Sequence, residues 1–230
     1  MTFRDCRKRY EKRWIKGVKS DKTWERGDDW YKKITIYNEK WGYCTPTSIA
    51  MIINYHHNII KKKGTLYNLK TERHSRTNKL SGELGTKFKV RGKINGDGPA
   101  WYRYFSTVPH ETKKAIRKNN MRGFAFGWYY SAWNRAWHHR TISHYIRRNQ
   151  PVMVNVDKAK VSGLKKPVRT HSMPVIGYMR QKYTGSCWKR ALPDRRWLLV
   201  DTTYRQRGYI RFDSRSNYGR FGSVTYVKVY

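Results

Sequence analysis

An α+β fold is predicted by three features of the chain. A helical apolar pattern opens just after Cys44, and the last third alternates like antiparallel strands. The two kinds of pattern are segregated along the chain instead of interleaved, and no internal repeat interrupts them.

Taken in order, residues 1–30 are dominated by charge: Arg4, Arg7, Lys8, Arg9, Lys12, Arg13, Lys16 and Lys19, with Tyr10, Trp14 and Trp24 interspersed. This composition reads as a solvated basic extension, or else as a short helix packed on the main body, with residues 31–230 as the main domain. Thr35–Tyr43 is a short approach segment. Thr45 then suits a helix N-cap and Pro46 the first helical position, with Ile49, Ile52, Ile53 and Ile60 at helical spacing. The helix is expected to stop near Lys61-Lys62-Lys63-Gly64, where cations face the negative end of the dipole.

Residues 65–135 form a variable region within that domain. Its first part is polar, with Gly82, Gly85, Gly92, Gly96 and Gly98, and reads as loops and short elements. Glu111–Asn120 is predicted as a short helix. Residues 123–137 are too rich in aromatics for an assignment by periodicity. Thr141–Arg148 is helical, with Ile142, Tyr145 and Ile146 on one face. Strands are predicted over Val152–Val156, Met173–Tyr178, Trp197–Val200, Tyr209–Phe212 and Val224–Val229.

The 230 residues suffice for one domain with a sizeable core. Hydrophobic residues make up only 38%, but aromatics make up 15%, so the core is expected to rest on Trp and Tyr more than on Leu. Such a composition excludes a disordered chain. The net charge of +36, from 51 basic and 15 acidic residues, predicts salt-sensitive attraction to nucleic acid, anionic membrane or another polyanion. The alternative is a general compositional bias, because the cations are spread along the whole chain. No apolar run approaches the ~20 residues needed to span a bilayer. Met1–Lys19 has no apolar stretch of the signal-peptide kind, so the default expectation is cytoplasmic, with secreted or phage- or virus-associated forms open.

Three cysteines, Cys6, Cys44 and Cys187, argue against a pure disulfide framework. Cys6 and Cys187 either pair or remain inert thiols. Cys44 stands at the start of the best helix, where the dipole and free N–H groups stabilise a thiolate. Nucleophilic cysteine chemistry also needs a base and a group to orient it. His171 lies just before a predicted strand, and Asp201 closes the next one. Adjacent antiparallel strands would bring them together at the helix tip, with His171 as general base and Asp201 as its orienting partner. The plainer alternatives are a buried structural thiol at Cys44 and a turn cap at Asp201 for Thr202-Thr203.

The adjacent pairs His56-His57 and His138-His139 diverge on a helix and offer no metal-ligand spacing. Asn95-Gly96-Asp97-Gly98 reads as a turn, since the further ligands of a calcium loop are missing. No metal or cofactor is expected. Trp128, Tyr129, Tyr130, Trp133 and Trp137 read as core packing, or else as the wall of a groove.

The segment Trp41-Gly42-Tyr43-Cys44-Thr45-Pro46-Thr47-Ser48-Ile49-Ala50-Met51-Ile52-Ile53-Asn54-Tyr55 resembles the nucleophile helix of papain-like cysteine peptidases, especially the bacteriocin-leader-processing (double-glycine) peptidases and their free-standing relatives. Ile142–Val156, His171–Tyr178 and Trp197–Asp201 are similar to that family's helix-to-strand segment, His strand and Asp strand. The resemblance implies a papain-like fold, a Cys44-His171-Asp201 triad, an acyl-enzyme intermediate and a peptide or protein substrate. It also implies an oxyanion donor at Asn38, six residues before the cysteine. There the family usually carries Gln, which is longer by one methylene, and it usually carries Gly in place of Thr45. The same three residue types also serve transglutaminase-like acyl transfer. A polyanion-binding module on an inactive papain-like fold is the other reading, since basic and aromatic residues interleave in the manner of single-strand binders.

Overall fold

A computed structural model describes residues 7–21, 27–39, 42–90, 101–129, 135–184, 195–204, 206–212 and 221–230. Cys6, Cys187, Tyr130, Trp133 and the 95–98 turn lie outside these residues.

Helix α2 (Cys44–Tyr55) is the centre of the molecule, and all 12 of its residues are buried. It packs against the sheet on one side and against α3 (Lys79–Lys87) and α4 (Thr107–Lys118) on the other. A helix covered all round cannot leave polar groups unpaired. Thr47 accordingly pairs with Ser81 at 3.2 Å, and the Ser48 hydroxyl donates to the Ser172 carbonyl at 2.9 Å. The Asn54 amide donates to the Lys33 carbonyl at 3.0 Å and accepts from the Leu66 N–H at 2.8 Å.

The helix starts earlier than expected, with Tyr43 as N-cap and no side chain bonding the first turn. Pro46 still falls within that turn, where its missing N–H costs nothing. The Thr45 hydroxyl does not cap; it turns to Ser172 and Tyr104. A π-helical turn, His56–Ile60, carries the chain on to the lysine run.

The sheet is antiparallel throughout. Its order is β2 (Gly123–Tyr129), β7 (Phe221–Val229), β3 (Val152–Ala159), β4 (Val168–Thr184), β5 (Arg195–Asp201) and β6 (Arg207–Arg211). This sheet, with the five α-helices among the described residues, makes the fold α+β as expected. β2 fills the stretch that periodicity left unassigned. Gly127 is required there, because a Cβ would lie 1.9 Å from the Tyr104 carbonyl oxygen. α4 begins at Thr107 and α5 (Arg135–Arg147) at Arg135, both earlier than predicted.

The basic N-terminal segment corrects the expectation of a solvated arm. Arg7–Trp14 is strand β1, paired with β4 from Gly177 to Thr184. β4 is far longer than its apolar stretch, and β3 covers only Val168–Val175 of it. The remainder of that edge would expose unpaired N–H and C=O groups, and β1 satisfies them. Ile15 and Val18 are buried beyond it, and α1 (Asp29–Lys33) follows, capped by Asp28. Glu11 anchors β1: Tyr178 donates to its carboxylate at 2.6 Å and Arg147 at 2.6 Å. These bonds, with Lys182 nearby, hold the carboxyl down to about 2 against the effect of burial.

Among the described residues, no helix is long and apolar enough to cross a membrane.

Candidate active site

Cys44 is the first residue of α2, and 7% of its surface is exposed. With no side chain capping the turn, the positive end of the helix faces the thiol directly. The imidazole of His171 and the N–H and hydroxyl of Ser172 stand close enough to the thiol to favour its ionised form. Burial pushes its pKa up. The imidazole and Ser172 more than offset that, and the net value falls from 9.0 to about 7.

Beneath the thiol runs a buried chain of polar side chains. Thr45 Oγ1 lies 3.1 Å from the Tyr104 hydroxyl and 2.7 Å from Ser172 Oγ. Ser172 donates to Asn155 Oδ1 at 2.6 Å, and the Asn155 amide donates to Ser223 at 2.7 Å. These bonds tie the helix tip to β4, β3 and β7, so the thiol is held at a fixed place over the sheet.

His171 sits near the start of β4 and is 3% exposed. Its Nε2 donates to the carbonyl oxygen of Thr202 at 2.8 Å. The ring stacks on Tyr204 with centroids 4.6 Å apart and planes 14° apart, and the Tyr204 hydroxyl lies 3.4 Å from Nδ1. Two β-branched residues beside this imidazole, Thr170 (φ 30°) and Thr203 (φ 59°), adopt the left-handed backbone region. That conformation is unfavourable for threonine and persists only where neighbours enforce it.

Asp201 is fully buried one residue before Thr202, and its oxygens do not reach the imidazole. Oδ2 accepts from Trp30 Nε1 at 2.8 Å and Thr35 Oγ1 at 3.2 Å, and Oδ1 accepts from the Thr203 N–H at 2.8 Å. Burial pushes its carboxyl up, while the Trp30 and Thr203 N–H groups and the Arg207 guanidinium favour the charge. Arg207 itself forms a wholly buried ion pair with Asp28 at 2.6 Å.

Asn38 joins the same turn. Its backbone N–H donates to the Thr203 carbonyl at 2.9 Å, and its side-chain amide lies near the Tyr204 hydroxyl. Its Oδ1 is buried with no partner among the described residues.

The fold therefore brings Cys44 and His171 into contact, places Asp201 behind the turn that touches His171, and places Asn38 beside Tyr204. Sequence reasoning missed Ser172, the Thr202 carbonyl and Tyr204. The last two follow Asp201 directly, and that adjacency was the signal available. Among the described residues, no cluster of His, Cys, Asp or Glu side chains could hold a metal ion.

The sequence profile of the Peptidase C39-like family matches residues 29–213. No curated protein matches the chain. A match over most of the length, centred on a cysteine-led helix and an antiparallel sheet, makes this chain a member of the Peptidase C39-like family and a relative of the papain-like cysteine peptidases.

Proposed function

We propose that the chain hydrolyses peptide bonds, with Cys44 as nucleophile and His171 as general base and then general acid. The observation that carries this reading is the Cys44 thiol, set beside His171 at an uncapped helix N-terminus with its pKa lowered to about 7. The thiolate attacks the substrate carbonyl carbon and pushes the carbonyl π electrons onto oxygen. Collapse of that oxyanion breaks the C–N bond, and the protonated His171 gives its proton to the leaving amine. Water, deprotonated by His171, then attacks the thioester. The carboxylic product leaves and the thiol is regenerated.

In this reading the group that orients His171 is the Thr202 carbonyl, which accepts from Nε2. Asp201 is a positioning residue that holds the 202–203 turn through the Thr203 N–H. The Cys44 N–H and the Asn38 region supply the oxyanion site. The net charge of +36 favours acidic substrates or polyanion-coated surfaces through long-range attraction.

The test is digestion of a peptide library by wild type and by Cys44→Ala. Cleavage by wild type alone supports the reading, and equal activity of the two overturns it. Retained affinity for an oligonucleotide by both proteins, with no cleavage by either, would favour the polyanion-binding alternative instead.

A further inference from the structure

Tyr204 occupies an unusual place for a residue outside the Cys-His pair. One face of its ring lies against His171, yet 49% of the residue remains exposed. Its hydroxyl is 3.4 Å from His171 Nδ1, a long contact by hydrogen-bond standards. Because Nε2 is committed to the Thr202 carbonyl, Nδ1 is the nitrogen left for Cys44. The hydroxyl thus stands at the edge of the space where a carbonyl attacked by Cys44 must lie. Burial and the nearby Cys44 both push its pKa up, so it keeps its proton.

The second observation is Asn38. Its amide lies near the same hydroxyl, and its Oδ1 is buried without a partner among the described residues. A phenol hydroxyl can accept one hydrogen bond while donating another. It can therefore extend the reach of an amide that is too short.

We infer that Tyr204 is a catalytic residue whose hydroxyl, polarised by Asn38, donates a hydrogen bond to the oxyanion formed when Cys44 attacks a carbonyl. This rests on the reading of Cys44 as the nucleophile. The in-plane lone pair of Nδ1 takes up the thiol proton, while the stacked Tyr204 hydroxyl lies over the face of the ring and can turn. The oxyanion that appears on attack is the strongest acceptor in its reach. No proton is lost from the tyrosine.

The test separates a reaction that creates an oxyanion from one that does not. Acylation of Cys44 by p-nitrophenyl acetate passes through a tetrahedral oxyanion, whereas alkylation by iodoacetamide does not. Tyr204→Phe keeps the stacked ring and removes the hydroxyl. It is expected to slow acylation by about 10²-fold, the usual effect of losing one oxyanion donor, and to leave alkylation within about twofold. Adding Asn38→Gln to Tyr204→Phe lets the longer amide reach the oxyanion itself and should recover about tenfold of the acylation rate. Equal changes in both reactions, no change in either, or no recovery in the double variant would overturn the role of Tyr204. A wild-type Cys44 inert to both reagents would instead overturn the nucleophile reading on which it rests.

Discussion

The Nε2 of His171 stands 2.8 Å from the carbonyl oxygen of Thr202, while the Asp201 carboxylate one residue earlier bonds the Thr203 N–H at 2.8 Å. A carbonyl can only accept, so Nε2 carries the N–H and Nδ1 carries the lone pair. The tautomer needed for a base facing Cys44 is thus set by the backbone, and the carboxylate sets the backbone. This predicts an unusual outcome for Asp201→Asn. The amide oxygen can still accept from Thr203, so kcat should fall far less than the ~10⁴-fold seen when a carboxylate that holds the imidazole itself is neutralised. Stability should fall by about 1–3 kcal/mol, because the amide NH₂ faces the buried Trp30 N–H that Oδ2 now accepts. Steady-state kinetics and urea denaturation on one preparation read both. A loss near 10⁴-fold with unchanged stability would refute the arrangement.

A second prediction concerns the thiol. Cys44 is held near pH 7 in the fold, against 9.0 for an ordinary thiol, with burial opposing and His171 and Ser172 favouring ionisation. The rate of iodoacetamide alkylation should therefore rise through about pH 7, and in His171→Gln its midpoint should move up towards the ordinary 9.0. The depressed pKa also stabilises the fold: this contribution is complete above the unfolded value and is lost as pH falls through about 7. An alkylation midpoint of the wild type near 9 would show that His171 does not activate the thiol.

The helix at Cys44 and the strand order after Val152 were legible because both depend on local patterning of apolar residues. The relation of Cys44 to His171 followed from that order, since a helix tip and two neighbouring strand ends have few places to meet. The hydrogen bonds of Asp201 were not legible. A carboxylate and the next carbonyl are one peptide apart, and which of them meets the imidazole depends on the left-handed Thr203, which no residue pattern announces. β1 was misread for a similar reason. Its charged residues look solvated in sequence, and the demand for a strand comes from the uncovered half of β4, more than 160 residues away. Tyr204 lacked any signal beyond its position after Asp201-Thr202-Thr203.

Two buried histidines predict acid sensitivity. His56 is fully buried at the π turn, and neither ring nitrogen has a partner among the described residues. Burial, with Lys61, depresses its pKa from 6.5 to about 3, and burial with the surrounding arginines does the same to His139. Between these values the unfolded chain binds protons that the folded chain refuses, so stability rises with pH across the window. The contribution is fully present above about pH 6.5 and is lost as pH falls towards 3, at up to about 1.4 kcal/mol per pH unit for each ring. His56→Leu should therefore lose less stability than wild type between pH 7.5 and pH 5, measured by urea denaturation. Parallel pH profiles would refute this account.

The last prediction concerns the ion pair beneath the site. Arg207 Nη1 meets Asp28 Oδ2 at 2.6 Å with both side chains fully buried, and it donates to the Ser20 carbonyl at 2.9 Å. Arg207 lies opposite Asp201 in the β5–β6 register, and its charge favours the Asp201 carboxylate. Arg207→Met removes the partner charge and leaves Asp28 buried, which should cost about 3–5 kcal/mol. Asp28→Asn keeps the cap on α1, because the amide oxygen can still accept from the Tyr31 N–H. Adding it to Arg207→Met should therefore recover part of the loss, since a neutral pair carries no uncompensated charge. Losses in the double variant equal to the sum of the two single losses would mean that the charges do not interact. The electrostatic support assigned to Asp201 from below would then have to come from its hydrogen bonds to Trp30, Thr35 and Thr203 alone.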